Sequence, residues 1–200
     1  MSMCRAYSLV VLLLCSQAQA DIVFDVGAGH ESSNIDSSDS SFISSHVGGL
    51  FVVAGMGLSI SLTPLFRVPF IVEFGQNKVS GTTTVSGKEN EKDIGSALSV
   101  LAKPSLRLGD GRAYLIGGVT MTNVKSYISD VLRSDQKYHM PIIGAGLSYQ
   151  ALPDMDVYAE YRVNGKSKKN IVATTFAGTD LTSLSVYSRH RFQVGVTYYL

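Results

Sequence analysis

Apolar side chains recur at every second position over long stretches of this sequence. Between Val47 and Phe66, one apolar row consists of Leu50, Val52, Ala54, Met56, Leu58, Ile60 and Leu62, and the opposite row includes Gly55, Gly57, Ser59, Ser61 and Thr63. Because successive side chains of a β-strand point to opposite faces, this alternation predicts a strand with one apolar face. The stretch carries no charge, but its glycines would each cost about 1 kcal/mol inside a helix, which argues against a membrane-spanning helix.

The same alternation predicts eight strands: Asp21–His30, Val47–Phe66, Arg67–Lys78, Ile94–Leu108, Arg112–Ser129, Tyr138–Leu152, Met155–Asn164 and Ser183–Leu200. Tight turns are predicted at Thr63-Pro64, Gly109-Asp110-Gly111 and Pro153-Asp154, and longer polar connections at Glu31–Ser45, Ser86–Asp93, Asp130–Lys137 and Gly165–Thr182. Short turns at one end and long loops at the other indicate an up-and-down meander. Such a meander has to close its edges, which predicts a small antiparallel barrel.

The first twenty residues have the pattern of a cleavable signal peptide. Arg5 precedes a short apolar run, and Ala18-Gln19-Ala20 supplies small residues before a predicted cleavage at Asp21. This divides the chain into a signal peptide, 1–20, and a barrel domain, 21–200, and predicts export. Both cysteines, Cys4 and Cys15, fall in the removed segment, which excludes disulfides and thiol chemistry in the mature chain. A lipid anchor on Cys15 is disfavoured by the preceding Leu14.

The overall composition excludes two classes of protein. The chain of 200 residues is 45% hydrophobic, which rules out a disordered polymer. Its 17 basic and 16 acidic residues nearly cancel and form no basic stripe, so nucleic acid is excluded as the main partner.

The placement of charges distinguishes a membrane barrel from a soluble barrel with an apolar cavity. Charged residues of both signs fall opposite the apolar rows, at Asp25, Glu73, Lys103, Arg107, Glu160, Arg162, Arg189 and Arg191. They could pair with one another inside a wet lumen, whereas burying them around an apolar ligand would be costly. Aromatic residues share the apolar face, at Phe24, Phe70, Phe74, Tyr149, Tyr161, Phe192 and Tyr198. The sequence therefore predicts an all-β, eight-stranded antiparallel up-and-down transmembrane β-barrel with short periplasmic turns and longer extracellular loops.

Four segments carry a resemblance to a known family. They are Pro69–Gly75, Ala113–Val119, Gly144–Arg162 and Phe192–Leu200, and their order and spacing follow a signal peptide and end in a strand. The chain resembles the eight-stranded outer-membrane β-barrels of Gram-negative bacteria, the group of opacity proteins and outer-membrane-protein-A-like domains. The resemblance implies location in the outer membrane and a structural or surface role.

The last strand is similar to the segment that the barrel-assembly machinery recognises in this family. The resemblance assigns Gln193 as the polar position, Gly195 as the small one, and Tyr198 and Leu200 as the hydrophobic ones. Family members usually end in Phe, so Leu200 is a departure that weakens the signal.

The inward charges are the main candidate site. Because an eight-stranded barrel has an interior only wide enough for side chains, we expect a structural ion-pair plug formed by Glu73, Arg107, Glu160, Arg162 and Arg191. The alternative is a narrow channel or a transporter of small apolar solutes. The inward positions of Ile71, Leu101, Ile116 and Ile142 are its only indication.

The sequence shows no clear catalytic or metal site. Ser188 and His190 share a strand face, as a lipid-A-modifying hydrolase would need, but that face is predicted to meet lipid and has no acidic partner. Glu31, Asp36 and Asp39 lack the spacing of a calcium loop and are predicted to lie in a solvated loop, and Lys166, Lys168 and Lys169 are predicted to lie in another. We expect no catalysis, cofactor or metal.

The predicted function is therefore structural: an outer-membrane barrel that supports envelope integrity or surface contact, as an adhesin does, through its exposed loops. The expected partners are outer-membrane lipid and lipopolysaccharide, the barrel-assembly machinery during biogenesis, and a host or envelope ligand at the loops.

Overall fold

The fold was analysed in a computed structural model of the chain. The structure describes residues 19–37, 45–85, 88–128, 131–174 and 180–200, and within these it describes the side chains of 19–33, 48–77, 95–123, 137–165 and 188–200. No helix in these described ranges is long and apolar enough to cross a membrane. Residues 1–18 of the predicted signal peptide lie outside them, whereas Gln19, Ala20 and the predicted cleavage site before Asp21 lie inside.

Nine β-strands account for nearly all of the described chain. They are β1 (Gln19–Ser37), β2 (Ser45–Ser61), β3 (Phe66–Val85), β4 (Lys88–Ala102), β5 (Ser105–Leu108), β6 (Gly111–Ile128), β7 (Val131–Leu152), β8 (Met155–Thr174) and β9 (Asp180–Tyr199). Strands that follow one another in sequence pair antiparallel, except that β4 and β5 do not pair with each other and instead each pair with β3 and β6. β9 pairs with β1 and closes the barrel. The predicted up-and-down barrel is confirmed.

The hydrogen-bonded register defines the barrel's geometry. We can step from Ser33 on β1 to its paired residue on β9, and from there to the paired residue on each next strand around the wall. This path returns to β1 at Val23. This displacement of ten residues is the stagger that closure requires, because the strands tilt relative to the barrel axis. Charges that are distant in sequence can therefore meet across the lumen.

One predicted strand is divided in two. The alternation between Ile94 and Leu108 predicts one continuous strand, but β4 ends at Ala102 and β5 begins at Ser105. Pro104 has no N–H to donate to the ladder, which accounts for the break. The wall stays connected because Lys103 N donates to Pro69 O at 2.8 Å and Leu115 N donates to Pro104 O at 3.1 Å. Together β4 and β5 occupy the fourth of the eight strand positions in the barrel wall.

The strands run further at the loop end than the alternation predicts. β8 continues to Thr174 and β9 begins at Asp180, so most of the polar stretch between 165 and 182 is strand. A strand of 20 residues tilted by about 45° rises roughly 46 Å, well beyond an apolar band of about 25 Å. In water, polar residues on both faces can continue the ladder without any apolar alternation, which is why the pattern did not reveal these extensions.

The faces of the strands are as predicted. The apolar rows point outward, so that Leu50, Leu115 and Ile143 are exposed to at least 66% of their surface. All seven aromatic residues that the sequence places on this face are exposed as well: Phe24, Phe70, Phe74, Tyr149, Tyr161, Phe192 and Tyr198. An apolar exterior and a charged interior define a barrel that sits in lipid.

Candidate functional site

In the described part of the lumen, eight charged side chains, four of each sign, form one connected set. They are Asp25, Lys103, Glu160, Arg162, Glu73, Arg191, Glu31 and Arg189, and each is buried to 95% or more. In this order, acids and bases alternate along a continuous series of contacts. We call this series the charge chain. It contains no net charge, which limits the cost of keeping eight ions away from bulk water.

The part of the charge chain nearer the periplasmic turns is built around Lys103, at the break between β4 and β5. Its ammonium group lies 2.9 Å from Asp25 and 3.1 Å from Glu160. Two tyrosines complete the site: Tyr158 donates a hydrogen bond of 2.5 Å to Asp25, and Tyr114 donates one of 3.0 Å to Glu160. Both carboxylates are therefore held from two sides.

The middle of the charge chain is a bidentate pair. Arg162 places two guanidinium nitrogens at 2.8 Å from the two carboxylate oxygens of Glu73, and it also contacts Glu160 on its own strand. Fork-to-fork pairs of this kind are among the strongest charge-assisted hydrogen bonds. Arg162 thus links the two halves of the chain.

The part nearer the loops is organised around Glu31. Arg191 lies 3.2 Å from Glu31 and 3.3 Å from Glu73, and Arg189 also pairs with Glu31. The guanidinium carbon of Arg191 lies 3.9 Å from the centre of the Phe51 ring, a cation–π contact. The charge chain therefore reaches from Asp25 to Arg189 without interruption.

Glu31 corrects a sequence interpretation. The expectation that it lies in a solvated loop is wrong, because β1 continues to Ser37 and turns Glu31 into the lumen. The alternation of Asp25, Gly27 and Gly29 on the inward face, continued by one step, would have found it. Of the other two carboxylates in that expectation, Asp36 belongs to β1 with its side chain outside the described part, and Asp39 lies outside the described residues.

Arg107 is the one predicted plug residue that the structure places elsewhere. Its guanidinium donates hydrogen bonds to Gly109 O at 2.9 Å and to Gln150 at 3.3 Å. It lies at the rim because β5 ends one residue later, at the turn where Gly109 adopts a φ of +68°. Glu73, Glu160, Arg162 and Arg191 are brought together, and Asp25, Glu31, Lys103 and Arg189 join them.

The periplasmic rim carries smaller ion pairs separate from the charge chain. Arg67 lies 3.7 Å from Asp21 and stacks on Tyr199, and Arg112 lies 3.6 Å from Asp156. A polar cavity of about 130 Å³ opens between them. Asp156 is as buried as the lumen charges, whereas Asp21, Arg67 and Arg112 are more exposed, so the Arg67–Asp21 pair in particular contributes less to stability.

The inward apolar residues pack rather than line a passage. Leu101, Ile116 and Ile142 form a buried cluster with Tyr114 and Tyr158. Ile71 is also buried, on the neighbouring strand β3. These side chains therefore pack beside the two tyrosines that hold Glu160 and Asp25.

The four residues of the proposed assembly segment divide between the two faces. Gln193 points into the lumen and donates a hydrogen bond of 2.6 Å to the Tyr158 hydroxyl oxygen, while Tyr198 and Leu200 are exposed on the outer face. A Cβ atom on Gly195 would lie 2.5 Å from the Tyr158 ring. Gly195 therefore provides the room that Tyr158 needs to reach Asp25.

The candidate hydrolase residues lie at the lipid-facing surface. His190 Nδ1 shares a hydrogen bond of 2.7 Å with the Tyr161 hydroxyl group. Among the described side chains, neither Ser188 nor a carboxylate bonds to this imidazole. Lys166, Lys168 and Lys169 belong to β8 rather than to a loop, and their side chains are outside the described part.

The fold and the lumen together define a class: a transmembrane β-barrel whose interior is occupied by paired charges. Comparison with known proteins gives the family. The sequence model of the outer membrane protein beta-barrel domain matches residues 6–199, so the chain belongs to that family. Family and fold indicate the bacterial outer membrane as its location.

Solved structures share the fold at low sequence identity. OprG from Pseudomonas aeruginosa is 11% identical with a TM-score of 0.52, and the match covers 90% of this chain and 96% of that one. Neisserial surface protein A is 17% identical with a TM-score of 0.51, covering 88% and 96%. The outer membrane protease OmpT from Escherichia coli is 9% identical with a TM-score of 0.50, covering 90% and 97%. A search of curated proteins finds no match.

Proposed function

We propose that this protein is a non-conducting, non-catalytic outer-membrane barrel that serves envelope integrity or surface contact through the ends of its strands and its loops. The observation that carries this proposal is the charge chain. Eight buried, mutually paired side chains occupy an interior that is only wide enough for side chains. A structural role follows because such a lumen leaves the exterior and the loop end as the surfaces available for function.

The long strands support a role at the cell surface. β8 and β9 stay paired from Met155 and Tyr198 to Thr174 and Asp180, far beyond the length needed to cross lipid. The barrel therefore holds its connecting loops well above the membrane, where a host or envelope ligand can reach them. During biogenesis, we propose that Gln193, Gly195, Tyr198 and Leu200 engage the assembly machinery.

The alternative functions have less support. A channel or a transporter of small apolar solutes would need a passage where the charge chain and the cluster around Ile116 are packed. A lipid-A-modifying hydrolase would need an acidic residue that orients the His190 imidazole, whereas the described side chain bonded to its Nδ1 is the Tyr161 hydroxyl group.

A shortened hairpin tests the surface role. Asn170 and Leu184 are paired across β8 and β9, so joining them through a two-residue turn removes the hairpin tip and leaves the membrane-spanning part intact. In a strain that lacks the protein, the full chain should restore adhesion or exclusion of a bulky antibiotic, and the shortened chain should not. Heat-modifiable migration on gels checks that both chains fold. Full restoration by the shortened chain would contradict the proposal, as would recovery of the protein in the soluble periplasmic fraction.

A further inference from the structure

Histidines mark the outer boundary of the apolar surface. On β1, the outward row Ile22, Phe24, Val26 and Ala28 is followed by His30, and on β9 the row that rises from Tyr198 to Phe192 is followed by His190. On β7, the row that ends at Pro141 is followed by His139. In each case the first polar outward residue towards the loops is a histidine.

The surroundings of these histidines favour an anion. Among the strand residues whose side chains are described, no Asp or Glu points outward, because these carboxylates face the lumen or its rim, and Asp110 and Asp154 lie in the periplasmic turns. Towards His190, the titratable groups on the adjacent strands are Tyr161 from β8 and His30 from β1. His30 pairs with Phe192 and so lies diagonally across from His190. No described side chain therefore places a carboxylate beside this imidazole on the outer face.

A groove on the lipid-facing wall begins at Tyr161, the hydrogen-bond partner of His190. It has a volume of about 640 Å³, and its upper end is formed by Tyr161 and Phe192. The groove exists because three outward positions are alanine, whose short side chains leave space between larger neighbours: Ala113, Ala145 and Ala159. Leu106, Leu115 and Leu147 also line it. The volume lies in the range of ligand-binding pockets, and the lining is mainly apolar.

We propose that the groove and the His190–Tyr161 pair form a binding site for one phosphate-bearing lipid of the outer leaflet. An acyl chain lies in the groove, and the phosphate group accepts hydrogen bonds from His190, with His30 adding charge when protonated. The Tyr161 hydroxyl group orients the imidazole through Nδ1, which leaves Nε2 directed away from this bond and able to donate to an anion. The outer leaflet is the source because His190 lies at the loop end of the apolar surface.

This site goes beyond the structural role proposed above. It depends on the barrel lying in a membrane and does not depend on the closed lumen or on any contact made by the loops. A failure of the lipid site would therefore leave the proposed function standing, and a conducting lumen would leave the lipid site standing.

Binding of bisphosphorylated lipid A and of its dephosphorylated form to the purified barrel, in detergent micelles, tests the site. His190→Gln should weaken binding of the phosphorylated lipid about ten-fold and leave the dephosphorylated lipid unaffected, because only a phosphate gains a charge-assisted hydrogen bond. Ala159→Phe fills the groove and should weaken binding of both lipids.

Two matched variants serve as controls. His139→Gln removes an outward histidine on β7 that lacks the bond to Tyr161 by which His190 is joined to the groove, and Ala54→Phe enlarges an exposed alanine on β2, away from the groove. Both should bind like the unaltered protein, and gel mobility before and after heating shows whether each variant is folded. Equal affinity for the two lipids would overturn the phosphate assignment, and equal effects of Ala159→Phe and Ala54→Phe would overturn the groove.

Discussion

Arg162 and Glu73, which are 89 positions apart in sequence, form a bidentate pair across the lumen with both N–O distances at 2.8 Å. The two residues lie on β8 and β3, which do not pair with each other in the barrel wall. Their contact therefore joins opposite sides of the wall through its interior. The remaining lumen charges extend this link in both directions, so the lumen behaves as one connected polar network.

Removing one carboxylate from the network should cost more than removing a rim charge. Glu160→Ala leaves Lys103 without one of its two acids and Arg162 without its neighbour on β8. An unpaired charge at this depth should reduce the free energy of unfolding by about 3–5 kcal/mol. Urea-dependent unfolding in lipid vesicles measures this loss.

The matched rim variant is Asp21→Asn, which removes the partner of Arg67. This pair is 3.7 Å long and partly exposed, so the loss should be at most about 1 kcal/mol. A loss below about 1 kcal/mol for Glu160→Ala itself would show that its carboxylate is open to water and that the charge chain is not a buried network.

Gly27 lies beside the periplasmic end of the charge chain, and adding a methyl group there should destabilise the barrel. A Cβ atom on Gly27 would lie 2.6 Å from both Gln193 Nε2 and the Tyr158 hydroxyl oxygen. Gly27→Ala should therefore destabilise the barrel by about 1–3 kcal/mol through displacement of these side chains. Gly117→Ala is the control, because its Cβ would meet no atom within 4 Å, and it should be neutral or slightly stabilising. Equal stability of the two variants would contradict the packing described around Tyr158.

A role of Tyr198 in assembly can be distinguished experimentally from a general role of outward tyrosines in anchoring the barrel in lipid. Tyr198 and Tyr149 are both exposed on the outer face near the periplasmic turns, but only Tyr198 belongs to the proposed segment. Tyr198→Ala should lower the amount of folded barrel in the outer membrane of cells, whereas Tyr149→Ala should lower it much less. Refolding of the two purified variants into vesicles should be similar. A matching defect of both variants in cells would rule out a specific role for Tyr198.

The sequence predicted the barrel and its faces because both depend on a local rule, the two-residue period. That rule predicted Glu73, Glu160 and Arg191 to point inward and Phe74 and Tyr149 to point outward. The rule did not predict that β1 continues through Glu31, because the serine-rich stretch that follows lacks an apolar row. It also did not predict the break at Pro104.

The two-residue period alone could not predict which charged residues pair with one another. Which acid meets which base depends on the ten-residue stagger around the barrel, which brings Lys103 to Asp25 and Arg162 to Glu73. No local pattern encodes that displacement. Arg107 shows the same limit, because the period turns it inward while its place next to the turn keeps it at the rim.

The closed lumen is the central claim, and the conductance of the purified protein in a planar lipid bilayer tests it most directly. The charge chain predicts that the unaltered barrel gives no discrete current steps. Arg162→Ala removes the side chain that links the two halves of the charge chain and leaves Glu73 and Glu160 with fewer cations. This variant should give cation-selective current steps. It also serves as the control that inserted barrels can be detected. Reproducible steps from the unaltered protein, as large as those from the variant, would contradict a lumen plugged by paired charges.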